Sequence, residues 1–287
     1  MNVVLQTQFE RALRRFHHPK LFKLISPGVH KLLRRRLARS GLFGGKVNAQ
    51  LFFGEDMQVV LPEVVSEVLY TYGLFDEDVT NMVLQAVQPG DVVLDIGAHF
   101  GYFTLLLSHM VGSAGRVLAF EPTPSTFEVL GCNTLGRSNV EIFNLAAGDA
   151  DARLEIMDFG LKYCAWNTLA TEARMPQLAQ NGTAKRIQVG VVALDAFLAA
   201  RHVQPDFIKI DAENFEAAVV QGLAETLRLK PAKVLMETGS DGSLRAGEFL
   251  LELGLKPHVT NPAGELVIWS GALAQANTRY KDILFLP

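Results

Sequence analysis

The sequence predicts an α/β fold: a doubly wound, mostly parallel sheet with an antiparallel last strand, preceded by a basic helical extension. Three observations predict it. Residues 91–122 read strand, glycine turn, helix, strand, acid. Short apolar runs rich in β-branched residues recur at 140–143, 207–210 and 233–236, with helical stretches between them. Residues 1–46 carry eleven Lys or Arg against the single acid Glu10, whereas the rest of the chain carries 16 against 29. The chain therefore divides into an extension, 1–46, and a domain, 47–287, that want different neighbours.

In the extension, Phe9, Leu13 and Phe16 fall at helical spacing beside Arg11, Arg14 and Arg15. Val29, Leu32, Leu33 and Leu37 do the same beside Arg34, Arg35 and Arg36, after a break at Ser26-Pro27-Gly28. Two readings stand open: a helical arm packed on the acidic body, including in a homo-oligomer, and a surface that meets anionic lipid head groups. No aromatic-glycine motif accompanies the charge, so no nucleic-acid partner is expected. Gly41 to Gly45 is a linker. Residues 47–61 alternate as a hairpin turning at Gly54-Glu55-Asp56. Residues 62–72 start a helix at a proline, and 75–87 form another that Pro89-Gly90 ends.

The core unit follows. Residues 92–96 suit a buried strand, 102–111 an apolar helix ending near Gly112, and 117–120 a second strand with Glu121 at its carboxyl end. A dinucleotide site wants G-x-G-x-x-G. Here the spacing is Gly97-x-x-x-Gly101, and His99 stands where the second glycine would admit a pyrophosphate. No Walker pattern occurs either. What remains is a ligand with an adenosine-type ribose and no phosphate: Glu121 can accept from both ribose hydroxyls while the Gly97 turn faces a compact charged group. S-adenosylmethionine fits.

Further along, 122–135 reads as a crossover helix, 140–143 as a strand, and 144–148 follows at the same edge of the sheet. Strands at 152–157 and 186–192 enclose an excursion, 158–184, with Lys162, Tyr163, Trp166, Asn167 and Thr168; long loops in compact domains are disproportionately functional, and acceptor recognition is expected there. A helix at 194–202 leads to the strand 207–210. Asp211 at its carboxyl end points at the crevice shared by Gly97 and Glu121, or caps a following helix, 214–227. Residues 233–236 form the next strand, ending at Glu237. After a helix, 242–254, and a strand, 256–259, residues 266–269 and 283–286 make the antiparallel end of the sheet.

Asp95-Ile-Gly-Ala-x-x-Gly101, Phe120-Glu-Pro122, Asn144-x-Ala-x-Gly148, Leu194-Asp195 and Ile208-Lys-Ile-Asp211-x-Glu213, in this order, resemble the FkbM family of S-adenosylmethionine-dependent methyltransferases. The resemblance covers roughly residues 90–235. It implies a class I methyltransferase, Rossmann-like fold, with Asp95, Gly97, Ala98, Gly101, Glu121, Pro122, Ala147 and Asp149 binding the cofactor, a turn aspartate being the other reading of Asp149. In class I methyltransferases the approach segment lids the cofactor, so the resemblance makes Tyr70, Tyr72 and Phe75 candidates for its aromatic edge, with core packing the other reading. One departure is Asn214, where the family has glycine; Asn tolerates positive φ, so the turn is expected to survive.

The expected activity is O-methyl transfer to a hydroxyl of a small molecule, a glycan, a lipid-linked saccharide or a natural product. Asp211 is the expected base, with Glu237 and His99 behind it. Asp211, Glu213 and Glu237 would suit Mg²⁺ or Ca²⁺, yet the same acids serve as helix-start residues, and no metal is expected. The alternatives are a nicotinamide-dependent dehydrogenase, which His99 opposes, and a binding module that no longer transfers methyl groups. Two cysteines make no disulfide framework or metal knuckle. No apolar run reaches the ~20 residues that span a bilayer, and the amino terminus lacks a signal-peptide pattern. The expectation is a cytoplasmic protein, peripheral at the inner membrane face if the arm meets lipid.

Overall fold

The computed structural model describes residues 3–17, 33, 36–37, 44–164 and 185–287. Most of the second basic helix, the linker through residue 43, and Trp166, Asn167 and Thr168 of the excursion lie outside the described residues. The first basic helix, α1 (Val3–His17), turns Leu5, Phe9 and Ala12 into the body. Phe9 meets the Phe52 ring at 5.7 Å and Phe16 meets Tyr72 at 5.2 Å, while His17 pairs with Glu77 at 2.6 Å. Its apolar stripe is thus covered by protein, and Arg11, Arg14 and Arg15 are exposed. No helix among the described residues is long and apolar enough to cross a membrane.

A hairpin, β1 (Gly45–Gln50) and β2 (Asp56–Leu61), and two helices, α2 (Val64–Tyr72) and α3 (Glu77–Ala86), lead into the first core strand. The core continues as β3 (Val92–Ile96), α4 (Tyr102–Val111), β4 (Arg116–Phe120), α5 (Pro124–Thr134) and β5 (Val140–Phe143). Next come β6 (Ala146–Gly148), β7 (Ala152–Asp158), β8 (Lys185–Ala193), α6 (Leu194–Ala200) and β9 (Phe207–Ile210). The chain closes with α7 (Glu216–Gln221), α8 (Ala224–Leu229), β10 (Lys233–Glu237), α9 (Asp241–Glu252), β11 (Lys256–Thr260), β12 (Leu266–Ile268), α10 (Leu273–Arg279) and β13 (Asp282–Leu286).

Eight strands form the main sheet in the order β12-β11-β13-β10-β9-β3-β4-β5. From β5 to β10 neighbours run parallel, and β13 is antiparallel to both β10 and β11. The strand period of two sorts side chains cleanly between two cores. Val93, Val117, Phe207, Leu235 and Leu284 pack with α1 to α4 on one face. Leu94, Leu118, Ile208, Val234 and Ile283 pack with α6 to α10 on the other. This is the doubly wound, Rossmann-like arrangement that the sequence predicts.

Four details differ from expectation. The segment after β5 leaves the main sheet: β6, β8 and β7 make a separate three-stranded sheet, with β6 parallel to β8. The last strand inserts between β10 and β11, so β12 pairs with β11 alone. The helix expected over 214–227 is two short helices, because the chain bends at Gly222, where an added Cβ would stand 2.0 Å from the Gly148 carbonyl oxygen. A helix at α10 was not signalled, since its short run of Ala, Gln, Asn and Thr has no clear amphipathic period.

Candidate active site

The strand period also gathers the polar site. Asp95, Glu121, Lys209, Asp211, Glu237 and Asp282 share the parity of the residues that face α1 to α4. Asp95 pairs in register with Lys209, and Glu237 with Asp282. Walking toward the carboxyl ends therefore replaces an apolar layer with a charged one on the same face. A cavity of about 470 Å³ opens there, lined by Gly97, Ala98, His99, Glu121, Pro122, Ala147, Asp211, Glu213, Glu237 and Asp282 among others.

The turn after β3 is built by close approach. Gly97 has φ 77° and an added Cβ would lie 1.8 Å from the Asp211 carbonyl oxygen, so no side chain is admissible there. That contact docks the end of β9 on the turn. His99 takes φ 51°, in the left-handed region. Its backbone N–H donates to Glu121 Oε2 at 3.0 Å, and Thr123 N–H donates to Glu121 Oε1 at 2.9 Å. Each carboxylate oxygen retains a lone pair for a ligand hydroxyl. Asn144 Nδ2 donates to the carbonyls of Glu121 and Pro122 at 2.9 and 3.0 Å, which fixes the second turn. Burial pushes the Glu121 carboxyl up to about 7, against the two backbone hydrogen bonds that lower it.

Below the turn, Asp95 is fully buried. It accepts a hydrogen bond from Thr104 Oγ1 at 2.6 Å and faces Lys209 Nζ at 3.8 Å. Lys209 is 4 % exposed and reaches Asp211 Oδ2 at 3.4 Å. Burial opposes its charge, but the two carboxylates outweigh that and hold its ammonium above the ordinary value. Asp211 goes the other way: burial raises it, and Lys209 and Lys281 pull it below the ordinary carboxylate range. Glu237, half-buried beside Asp211 and Glu213, is pushed up to about 8 by desolvation and by those two carboxylates. Asp211, Glu213 and Glu237 each offer a carboxylate oxygen, all within 4.8 Å of one another. Asp282 is raised by burial and by Asp76, while Lys281 donates to Asp76 Oδ2 at 3.0 Å.

Several expected residues sit elsewhere. Asp95 and Gly101 lie behind the cavity wall rather than on it, Asp95 under Lys209 and Gly101 as the residue that opens α4. Asp149 is exposed and outside the cavity lining, since it follows β6 in the separate sheet. Of the aromatic trio, Phe75 lines the cavity, Tyr70 is buried in the core and Tyr72 carries Phe16 of the extension. Asp211 does not cap the next helix, which begins at Glu216, and Glu213 precedes that helix at φ 47°. Asn214 adopts φ 77°, so the turn survives its departure from glycine. Asp195 is a scaffold residue: it accepts from the backbone N–H of Glu225 and Thr226 at the start of α8. His99 lines the cavity with Nε2 3.1 Å from Cys164 Sγ, and burial drops its imidazole to about 4, neutral at ordinary pH.

Lys209, Lys281 and Asp282 join the site without being expected there from the sequence. The signal was present for the first: a lysine between Ile208 and Ile210, in the middle of a fully buried strand, has to be paired.

A model of the methyltransferase FkbM domain matches residues 95–249. The 31-O-demethyl-FK506 methyltransferase FkbM of Streptomyces tacrolimicus is 30% identical over 186 residues, 55% of this chain and 69% of that protein. Among solved structures, methyltransferase FkbM from Methylobacillus flagellatus KT is 13% identical with a TM-score of 0.45, over 78% of this chain and 54% of that one. An S-adenosylmethionine-dependent O-methyltransferase from Thermotoga maritima is 13% identical with a TM-score of 0.42, over 84% and 92%.

Proposed function

We propose that this chain, which belongs to the FkbM methyltransferase family, transfers the methyl group of S-adenosylmethionine to a hydroxyl oxygen of a glycan, a lipid-linked saccharide or a natural product. The observation that carries the reading is the contact between Gly97 and Asp211. It sets the cofactor turn and a strand-end carboxylate against one cavity. In this account the ribose hydroxyls donate to Glu121 and the methionine moiety lies along the turn from Gly97 to His99. The acceptor oxygen attacks the methyl carbon in line, the sulfonium carbon–sulfur bond breaks onto sulfur, and Asp211 takes the hydroxyl proton. Positioning contributes most of the acceleration, because displacement at a sulfonium needs little covalent help. Glu237, adjoining Asp211, assists the proton transfer. His99 acts chiefly through its backbone N–H on Glu121.

A hydroxyl acceptor is supported by the relative from Streptomyces tacrolimicus, whose name specifies an O-demethyl substrate. The acceptor class itself rests on the basic extension: Arg11, Arg14 and Arg15 are exposed on a helix whose apolar side is already covered. On this reading an anionic membrane face is met through these charges, Phe9 being packed against Phe52.

Asp211→Ala tests the assignment. S-adenosylhomocysteine should still bind while transfer falls by roughly 10²–10⁴, the range of a lost general base. Unchanged turnover would place the proton acceptor elsewhere.

A further inference from the structure

The carboxyl end of the sheet gathers more carboxyl groups than methyl transfer needs. Among the described residues lining the cavity, six are Asp or Glu and two are Lys. Both lysines are already engaged, Lys281 with Asp76 at 3.0 Å and Lys209 with Asp211 at 3.4 Å and Asp95 at 3.8 Å. Within that excess, one oxygen each from Asp211, Glu213 and Glu237 lies within 4.8 Å of the others. Two oxygens bound to one Ca²⁺ at 2.3–2.6 Å are at most about 5 Å apart, and about 4 Å for Mg²⁺. The three carboxylates therefore need side-chain adjustment and no movement of the strands.

A second observation is independent of the cluster. Asp282 is only 9 % exposed, lines the same cavity, and stands opposite Glu237 in the β10–β13 register. Its Oδ2 is buried without a hydrogen-bond partner among the described residues. Directly opposed strand residues have Cβ atoms roughly 4.5–5.5 Å apart, so this orphan acceptor sits beside a member of the trio. A buried acceptor in that position calls for a donor from within the cavity, and a cation-bound water is one.

We propose that Asp211, Glu213 and Glu237 hold a divalent cation, that Asp282 accepts a hydrogen bond from its bound water, and that its remaining positions take oxygens of the acceptor. The ligand set is all oxygen, which selects Mg²⁺, Mn²⁺ or Ca²⁺ over softer metals. The end of β10 and the turn after β9 supply the three ligands, and all three line the cavity. An acceptor with two neighbouring hydroxyls would fill two of the open positions, one oxygen being the nucleophile. The cation draws electron density from that oxygen and eases release of its proton to a carboxylate of the site. The methyl still moves from sulfur to oxygen with the bonding pair returning to sulfur. This deepens the methyl-transfer reading and rests on it for the identity of the acceptor.

Mn²⁺ is the probe. The full chain is stripped with chelator, and free Mn²⁺ is followed by electron paramagnetic resonance during titration. S-adenosylhomocysteine binding is measured in parallel by calorimetry. The expected result is one Mn²⁺ per chain, displaced by Mg²⁺ or Ca²⁺. Glu213→Gln and Glu237→Gln should each weaken it at least tenfold while the heat with S-adenosylhomocysteine persists. Protein that binds S-adenosylhomocysteine but no Mn²⁺ at millimolar concentration would overturn the cation site and leave methyl transfer intact. Mn²⁺ affinity untouched by both variants would also overturn it. Mn²⁺ bound by the trio without S-adenosylhomocysteine binding would uphold the cation site and remove the methyl-transfer reading.

Discussion

Glu121 Oε2 accepts the backbone N–H of His99 at 3.0 Å, so the acid that ends the second core strand is aimed by the turn that follows the first. This bond couples two motifs 22 residues apart: the position where a dinucleotide fold needs glycine contributes its amide at φ 51°, while its side chain lies against Cys164 on the cavity wall.

The Glu121 carboxyl, raised to about 7 from 4.5 by burial, gives the first prediction. Ribose hydroxyls donate to the ionised form, so affinity for S-adenosylhomocysteine should rise from pH 6 toward pH 8 and level off above about 7. The sign for stability is opposite. A carboxyl whose folded value is raised favours the fold fully below its unfolded value, and that contribution is lost as pH climbs through about 7. Thermal melts of the unliganded chain should therefore fall between pH 5 and 8 more steeply than those of Glu121→Gln. Calorimetry across this range checks the affinity, and a profile in the variant equal to the parent would contradict the assignment.

Lys209 is held between Asp95 and Asp211 on the inner face of the sheet. Lys209→Met leaves the fully buried Asp95 uncompensated, and breaking such a pair costs about 3–5 kcal/mol. Adding Asp95→Asn should recover part of that loss, because the orphaned charge is then gone. Denaturant titrations of the two single variants and the double variant check this; strictly additive losses would mean that the pair is not coupled.

The doubly wound core was legible because its signals are local: strand runs of four or five apolar residues, glycine punctuation and an acid at each strand end. Gly97, Glu121 and Asp211 are visible for the same reason, since each sits at a predictable place relative to a strand. Lys281 and Asp282 were not, because what brings them to the site is the insertion of β13 beside β10, a long-range pairing that no sequence period encodes. Asp149 was misplaced for the converse reason: its motif reads as the next strand end, and the chain has already left the main sheet. The stripe of α1 was legible in part: Phe9 is buried and Leu13 and Phe16 are half-buried, while Leu5 and Ala12 complete the buried side, and what covers it, Phe52 and Tyr72, no stripe can tell.

That covering changes how the extension should be tested. Deleting α1 would uncover core aromatics, so charge reversal is the cleaner variant. Arg11→Glu, Arg14→Glu and Arg15→Glu together should leave the melting temperature within a few degrees while reducing flotation with anionic vesicles, each basic residue near such a surface being worth about 1 kcal/mol. Equal flotation of parent and variant would remove these side chains from any lipid contact.

The central claim is that the Gly97 turn and Glu121 hold S-adenosylmethionine. Isothermal titration of the full chain with S-adenosylhomocysteine tests it most directly. One site per chain is expected, and Glu121→Ala should weaken it roughly 10- to 150-fold, the 1.5–3 kcal/mol of a hydrogen bond to a charged group. Absence of heat with the parent chain, or an affinity that Glu121→Ala leaves unchanged, would contradict it.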